Sequence, residues 1–187
     1  MLLDNKRWVA FFSHTGTEIL NISRALNRKP DRIVTNRSPG DPGINKNLLK
    51  LTDITYTSDR PGEDDYKRLI KDDDAIVTLH GWMRIVPPKI CKQFNIFNLH
   101  PGLITKYPDL KGADPQKRAS NPFSVVTYER VGCVIHRVVA QVDSGEILAE
   151  CSKYNDYTCE GELTRGLHSI SQDLWLHFLR DHSYNDV

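Results

Sequence analysis

The sequence lacks an excess of charge of either sign. Its 187 residues carry 25 Lys and Arg against 24 Asp and Glu, which gives a formal net charge of +1. Bulk charge therefore gives no reason to expect nucleic acid or a membrane surface as a partner. No apolar run approaches the roughly 20 residues that a membrane-spanning helix needs. We expect no nucleic-acid and no membrane partner.

Cysteine is scarce, and its spacing indicates no metal site. The four cysteines form no C-x-x-C pair and match no zinc pattern. A chain of this length does not need disulfide bonds, so we expect reduced and mostly packed thiols. The N-terminal segment mixes charged with apolar residues and precedes no small-residue cleavage site, which predicts a strand rather than a signal peptide, and the cytoplasm as compartment.

Repeats and low-complexity segments are also missing, and the length fits one globular domain over residues 1–187. Short apolar segments alternate with helical periodicity in the first hundred residues. This alternation predicts an α/β fold, a Rossmann-like and mostly parallel sheet with helices on both faces. The predicted strands are 8–12, 31–35, 54–57, 74–79 and 96–99, and the predicted helices are 17–26, 45–51, 63–71 and 87–93.

The pattern changes after Pro101. A short helix is predicted over 115–119, and a long closing helix over 163–180. Between them, strands over 133–141 and 146–153 flank Asp143-Ser144-Gly145, which is typical of an antiparallel hairpin. The tail, 184–187, is predicted to fray.

Ligands of open parallel sheets bind beyond the carboxyl ends of the strands. Asn98 and His100 alternate at such an end and point to the same side, which suits an oxyanion site. His136 and Asp143 lie on and after a later strand, and a carboxylate near an imidazole stabilises its charged form. Each pattern alone also fits a strand-end hydrogen bond or an ordinary turn.

Two further readings of these residues stay open. His80, His100, His136 and Asp143 offer metal-ligand chemistry, although no H-x-H or H-E-x-x-H spacing supports a metal. The loop 13–17 (SHTGT) leads into a helix N-terminus that could hold an anion. It matches neither dinucleotide-binding nor P-loop spacing, so alone it supports only a strand–helix turn.

Several segments together resemble the folate-dependent formyltransferase family, and most of all its transformylases that act on glycinamide ribonucleotide. The resemblance runs through nearly the whole chain in the right order and spacing. Its main blocks are 81–87 (GWMRIVP), 98–103 (NLHPGL) with 106–108 (KYP), and 132–136 (GCVIH) with 143–145 (DSG), and 35–37 (TNR) is a further agreement.

The resemblance implies a catalytic trio of Asn98, His100 and Asp143, with His136 supporting the Asp143 loop. It implies 10-formyltetrahydrofolate as formyl donor and co-substrate, no metal, and a small-molecule amine as acceptor. The implied folate-binding residues are Met83, Arg84, Ile85, Val86, Val138, Val139, Ala140 and Gln141. The implied acceptor-binding residues are Thr15, Gly16, Thr17, Glu18, Lys106 and Ser171.

The departures from the family concern the acceptor. Its glycine-rich first loop ends in an Asn that helps to hold the substrate phosphate, whereas His14 and Thr15 here replace a Gly-Asn pair and Glu18 replaces that Asn. A carboxylate beside a phosphate is repelled by about 1 to 4 kcal/mol at close range. The family's ribose-binding Glu on the last helix corresponds to Ser171. After Pro101, the family's Ser-Leu-Leu-Pro becomes GLIT.

Four functions are therefore weighed. The chain could formylate glycinamide ribonucleotide through backbone amides alone, or another small amine, such as an amino sugar on a nucleotide. It could hydrolyse 10-formyltetrahydrofolate with water in place of the amine, or bind folate or a nucleotide without catalysis. The intact trio argues against a mere binding module, and the expected lack of extra domains argues against the hydrolase and the sugar enzymes. Monomer and homodimer both remain open.

Overall fold

The computed structural model describes residues 1–121 and 123–181. Seven strands form one sheet in the order β3-β2-β1-β4-β5-β6-β7. The strands are β1 (Trp8–Phe12), β2 (Arg32–Thr35), β3 (Ile54–Tyr56), β4 (Ile76–His80), β5 (Asn95–His100), β6 (Arg130–Arg137) and β7 (Ile147–Tyr154). The helices are α1 (Thr17–Leu26), α2 (Lys46–Leu51), α3 (Glu63–Ile70), α4 (Pro88–Gln93), α5 (Pro115–Ala119) and α6 (Glu160–Asp181), with a 3₁₀ turn over Pro108–Leu110.

The first five strands are parallel, β6 pairs antiparallel with β5, and β7 pairs antiparallel with β6. β1 lies inside the sheet, between β2 and β4, and both of its faces are covered. Trp8, Ala10 and Phe12 pack into the layer that α1 and α6 build. Val9 and Phe11 pack into the opposite layer, which α3 and α4 build. The predicted α/β sheet with helices on both faces and antiparallel C-terminal strands is confirmed.

A third, smaller cluster anchors the long connection that follows β5. Leu103, Ile104, Tyr107 and Leu110 are buried there against Tyr128 and Val134. This apolar anchoring fixes a segment with almost no regular structure over the end of β5, beside His100. It thereby sets the position of the Leu110 carbonyl and the Gly112 amide, which both enter the site described below.

The predicted bounds of β6 were wrong. The strand ends at Arg137 instead of continuing to 141, and it begins earlier, at Arg130. The residues that follow form an open loop, closed by a hydrogen bond from the Arg137 amide to the Glu146 carbonyl at 2.9 Å. Val138, Val139 and Ala140 line a cavity instead of extending the strand, so their apolar character imitated a strand that is not there.

The remaining differences are smaller. Cys91 and Cys133 are buried free thiols, as expected, but Cys151 and Cys159 are exposed free thiols, which corrects the prediction of mostly packed cysteines. The last helix begins at Glu160, one turn before its predicted start. The tail predicted to fray, 184–187, lies outside the described residues. Within the described ranges, no helix is both long and apolar enough to cross a membrane.

Candidate active site

A cavity of about 920 Å³ opens at the carboxyl ends of the central parallel strands. Its wall is built from the loops that follow β1, β4 and β5, the loop between β6 and β7, and part of α6. Asn98, His100, His136 and Asp143 all contribute to this wall. The fold thus brings together residues from three separate segments, at the place where an open α/β sheet ordinarily binds its ligand.

Asp143 is held in a turn that only a few residue types can form. Its φ is +49°, in the left-handed region that Asp tolerates better than most residues. Two residues later, a Cβ on Gly145 would stand 1.7 Å from the Arg137 carbonyl oxygen, so only glycine allows the loop to close there. The turn leaves the Asp143 residue 9% exposed and aims its carboxylate at two imidazoles.

The Asp143 carboxylate is ionised although it is buried. Oδ2 lies 3.2 Å from His100 Nδ1 and accepts a hydrogen bond from the Gly112 amide at 2.8 Å. Oδ1 lies 3.3 Å from His136 Nε2. Burial opposes ionisation, but the hydrogen bond from His100, the charge of His100 and the Gly112 amide together hold the pKa of Asp143 far below its ordinary value.

His100 carries a proton on both ring nitrogens in this arrangement. Nε2 lies 2.8 Å from the Leu110 carbonyl oxygen, which can only accept, so Nε2 is an N–H. Nδ1 faces the ionised Asp143 carboxylate, which also only accepts, so Nδ1 is an N–H as well. His100 and Asp143 therefore form a buried imidazolium–carboxylate pair whose charges balance each other.

Asn98 is the partly exposed member of the group. Its Nδ2 lies 3.2 Å from His136 Nε2, and His136 Nδ1 donates to its neighbouring Arg137 carbonyl at 3.0 Å. The register supports this contact, because Asn98 pairs directly with His136 across β5 and β6. An amide nitrogen has two N–H groups, so Asn98 keeps one N–H for the cavity when the other is on His136.

A second carboxylate in the cavity wall is Glu18, in the first turn of α1. Its Oε2 accepts from His80 Nδ1 at 2.6 Å, and its Oε1 accepts a short hydrogen bond from the Ser171 hydroxyl. Burial tends to raise the pKa of Glu18, but its hydrogen bond with His80, the positive charge of His80 when protonated and the Ser171 hydroxyl lower it below its ordinary value.

Most residues predicted for the donor and the acceptor line this one cavity. Gln141 and Lys106 are not among its lining residues in the described part of the chain. Lys106 instead lies over the Tyr107 ring and 3.7 Å from the Glu129 carboxylate. The predicted residues that do line it, besides the trio and His136, are Thr15, Gly16, Thr17, Glu18, Met83, Arg84, Ile85, Val86, Val138, Val139, Ala140 and Ser171.

His80 is a cavity residue whose contact with Glu18 the sequence did not indicate. It was weighed only as a metal ligand, whereas the structure joins it to Glu18 and stacks it near Trp175 of α6 at 5.0 Å between ring centroids. Its position at the carboxyl end of β4, paired with Phe12 at the end of β1, was the available signal. In the described residues, no group of three or more His, Cys, Asp or Glu side chains has a metal-binding arrangement.

Residues 13–167 match the sequence family described as formyl transferase. The chain belongs to the formyl transferase family. The resemblance inferred from the sequence is thereby confirmed, and the matched range contains the trio, His136 and Glu18.

Among curated proteins, this formyl transferase chain is 38% identical over 80 residues to phosphoribosylglycinamide formyltransferase of Dictyostelium discoideum, an alignment that covers 39% of this chain and 37% of that protein. It is 34% identical over 77 residues to the human trifunctional purine biosynthetic protein adenosine-3, covering 40% of this chain and 7% of the human one. The matched segments thus span little more than a third of the first relative and a small part of the second.

Solved structures share the fold. Phosphoribosylglycinamide formyltransferase from Campylobacter jejuni superposes with a TM-score of 0.74 at 22% identity, covering 90% of this chain and 92% of that one. A formyltetrahydrofolate deformylase from Pseudomonas syringae superposes with a TM-score of 0.75 at 19% identity, covering 95% of this chain and 61% of that one. At these identities the likeness establishes the formyl transferase fold alone.

Proposed function

We propose that this protein transfers a formyl group from 10-formyltetrahydrofolate to the amine of a small-molecule acceptor. The observation that carries the proposal is the ionised Asp143 between two histidines, beside Asn98 in the wall of the cavity. Membership of the formyl transferase family supports the same chemistry. The Dictyostelium relative, named for glycinamide ribonucleotide formylation, supports an amine of low molecular weight.

In the proposed reaction, the neutral acceptor nitrogen attacks the formyl carbon and a new C–N bond forms. The carbonyl electron pair moves onto oxygen, and the resulting oxyanion accepts a hydrogen bond from the Asn98 amide. Collapse of the tetrahedral intermediate then breaks the bond between the formyl carbon and the folate nitrogen. The proton lost by the acceptor amine reaches the leaving folate nitrogen with Asp143 as relay, directly or through water. This route needs no metal and no covalent enzyme intermediate.

His100 contributes positive charge from a buried position, since its residue is only 4% exposed. Both of its N–H groups are already engaged, with Asp143 and with the Leu110 carbonyl. We therefore assign the direct oxyanion contact to Asn98 and the electrostatic support to His100. A direct contact from His100 Nε2 requires the Leu110 carbonyl to move away first.

The donor half of the cavity is suited to a flat aromatic ligand such as a pterin. Met83, Ile85, Val139 and Val142 are exposed although they are large and apolar, and all of them border the cavity. Exposed apolar side chains grouped around a cleft are typical of a ligand-binding surface. We propose that the folate lies between residues 83–86 and the loop after β6, and that the reaction takes place in the cytoplasm.

Hydrolysis of 10-formyltetrahydrofolate is a second candidate, favoured by the fold shared with the deformylase. In that reaction water takes the place of the amine, and the same groups serve. The two functions differ in one observable, because hydrolysis releases tetrahydrofolate without any amine present. An assay run with and without candidate amines therefore separates them.

The test is the Asp143→Asn variant in a tetrahydrofolate-release assay. We expect amine-dependent release by the unaltered protein, and a loss of roughly 10²- to 10⁴-fold in the variant, because general acid–base help contributes about that much. Asp156→Asn is the matched control, since Asp156 is a surface carboxylate whose side chain is 76% exposed. Release that ignores the amine, or a folded Asp143→Asn protein that keeps full activity, would contradict the proposal.

A further inference from the structure

Glu18 presents a carboxylate to the cavity at the place where α1 begins. Its side chain is 24% exposed, while its partner His80 is 1% exposed. The Glu18 carboxylate is thus fixed from behind by His80 and Ser171 and open toward the ligand space. A carboxylate can accept about four hydrogen bonds, so two of its acceptor positions remain for a ligand.

The hydrogen bonds behind Glu18 run in one direction. Trp8 Nε1 donates to Thr78 Oγ1 at 2.8 Å, and Thr78 Oγ1 lies 2.9 Å from His80 Nε2. Thr78 is fully buried, and within the described residues its hydroxyl has no partners but these two. Because a buried hydroxyl proton needs an acceptor, Thr78 donates to His80 Nε2.

The direction of this hydrogen bond determines the charge of His80. If Nε2 accepts a hydrogen bond from Thr78, it carries no proton, so His80 is neutral with its single proton on Nδ1, from which it donates a hydrogen bond to Glu18. Trp8, Thr78 and His80 then place hydrogen-bond donors behind the carboxylate but no positive charge. Neither His80 nor Ser171 balances the negative charge of Glu18, so apart from the nearby His168 that charge is left for the ligand, unlike that of Asp143, which the His100 imidazolium balances.

The same end of the cavity offers little to a phosphate. The Thr17 amide at the start of α1 already donates to Thr15 Oγ1 at 3.2 Å, so this amide is not free for a ligand. Arg84 is the only Lys or Arg among the cavity-lining residues of the described chain, and its guanidinium is engaged by Asp59. A phosphate here would meet Glu18 with no free Lys or Arg among the described lining residues, and His14 and His168 are the other titratable side chains near it.

We propose that Glu18 recognises the acceptor, and that it selects an amine that carries a second cationic group and no phosphate. This inference rests on the proposed formyl transfer. A fixed, partly desolvated carboxylate pairs well with an ammonium group.

The experiment measures by calorimetry how tightly three probes with the same four-carbon chain bind to the full chain. No formyl donor is present. The probes are 1,4-diaminobutane, 1-aminobutane and 4-aminobutyl phosphate, at a pH of about 8, where an ordinary imidazole is neutral. The variants are Glu18→Gln and the control Glu63→Gln. Glu63 also lies in the first turn of a helix, but it pairs with Lys89.

We expect the unaltered protein and Glu63→Gln to bind the diamine at least about tenfold more tightly than the phosphate, and Glu18→Gln to lose that preference. Phosphate bound as tightly as the diamine, no measurable diamine binding, or an unchanged preference in Glu18→Gln would each overturn the inference. Because these are binding measurements, they stand apart from formyl transfer. Amine-independent release of tetrahydrofolate would instead overturn the proposed function.

Discussion

The cavity contains two carboxylates that are bonded to histidine, and they differ in how their charge is balanced. Asp143 lies between His100 and His136, and the protonated His100 neutralises it. Glu18 is hydrogen-bonded to a neutral His80 and to Ser171, so neither partner balances its negative charge. One pair suits chemistry that passes through a charged intermediate, and the other suits recognition of a charged ligand. The charge of each histidine–carboxylate pair thus depends on the second hydrogen-bond partner of the imidazole, which is the Leu110 carbonyl for His100 and the Thr78 hydroxyl for His80.

After the loss expected for Asp143→Asn, the next largest effect comes from removing the direct hydrogen-bond donor beside Asp143. Asn98→Ala should lower kcat for formyl transfer by roughly 10²- to 10³-fold, because the amide hydrogen bond to the oxyanion is lost. Stopped-flow or steady-state release of tetrahydrofolate measures it. Diamine binding at Glu18 should stay unchanged, which keeps the two carboxylate groups distinguishable.

Asn95→Ala is the control for this variant. Asn95 lies at the opposite end of β5, where its Oδ1 accepts from Arg137 Nη1 at 3.2 Å. This control tests whether truncating an Asn elsewhere on β5 lowers kcat merely by disturbing the fold. A folded Asn98→Ala protein with the kcat of the unaltered protein would show that the oxyanion contact is assigned to the wrong residue.

The sequence predicted the Asp143 side of the site better than the Glu18 side, for a physical reason. Strand periodicity alone placed Asn98 and His100 on one side of a strand end, and the family blocks added Asp143. The contact between Glu18 and Ser171 joins residues 153 positions apart, through the packing of α6 beside α1. Local periodicity predicts both helices, but it does not specify which residues of the two helices meet.

The loop after β6 shows a second limit of sequence reasoning. Val138 and Val139 continue the apolar run of the strand, so the run predicted a strand up to 141. In the structure these side chains border the ligand cavity, and apolar residues that contact a ligand are indistinguishable by composition from residues that contact a core. Because the strand was predicted to continue to 141, a tight hairpin was expected at Asp143, whereas the structure has a left-handed residue there within an open loop.

A smaller effect should follow from disturbing that turn. A Cβ on Gly145 would stand 1.7 Å from the Arg137 carbonyl oxygen, so the loop must shift in Gly145→Ala. We expect a loss of about 1–3 kcal/mol in the free energy of unfolding, as in other overpacked sites, together with a lower kcat because Asp143 moves away from His100. Urea denaturation and the release assay measure the two effects.

Gly62→Ala is the matched control, because a Cβ there has nothing within 4 Å. It should leave kcat unchanged and alter stability only slightly. If Gly145→Ala matched this control in both measurements, the tight closure of the Asp143 loop would be unnecessary for the site. The Glu18 group lies on other elements, so diamine binding should survive in both variants.

The smallest expected effect is on stability in acid, and it compares the two carboxylates directly. The pKa of Asp143 is held far below its ordinary value of 3.8, mainly because its hydrogen bonds and the His100 charge outweigh burial. A depressed pKa contributes stability that is fully present above pH 3.8 and is lost as the pH falls toward the folded-state value. The free energy of unfolding should therefore fall below pH 3.8, and fall less steeply in Asp143→Asn.

Glu18→Gln should flatten the same curve to a lesser degree, and from a higher pH, because the ordinary pKa of Glu18 is 4.5 and its lowered value lies below that. Its side chain is also more exposed, 24% against 9% for Asp143, so water screens its interactions more strongly. Denaturant unfolding at a series of pH values measures both slopes, with Asp156→Asn as the exposed control. If Glu18→Gln flattened the curve more than Asp143→Asn, the uncompensated charge would be at Asp143, and the assignment of catalysis and recognition to the two groups would have to be reversed.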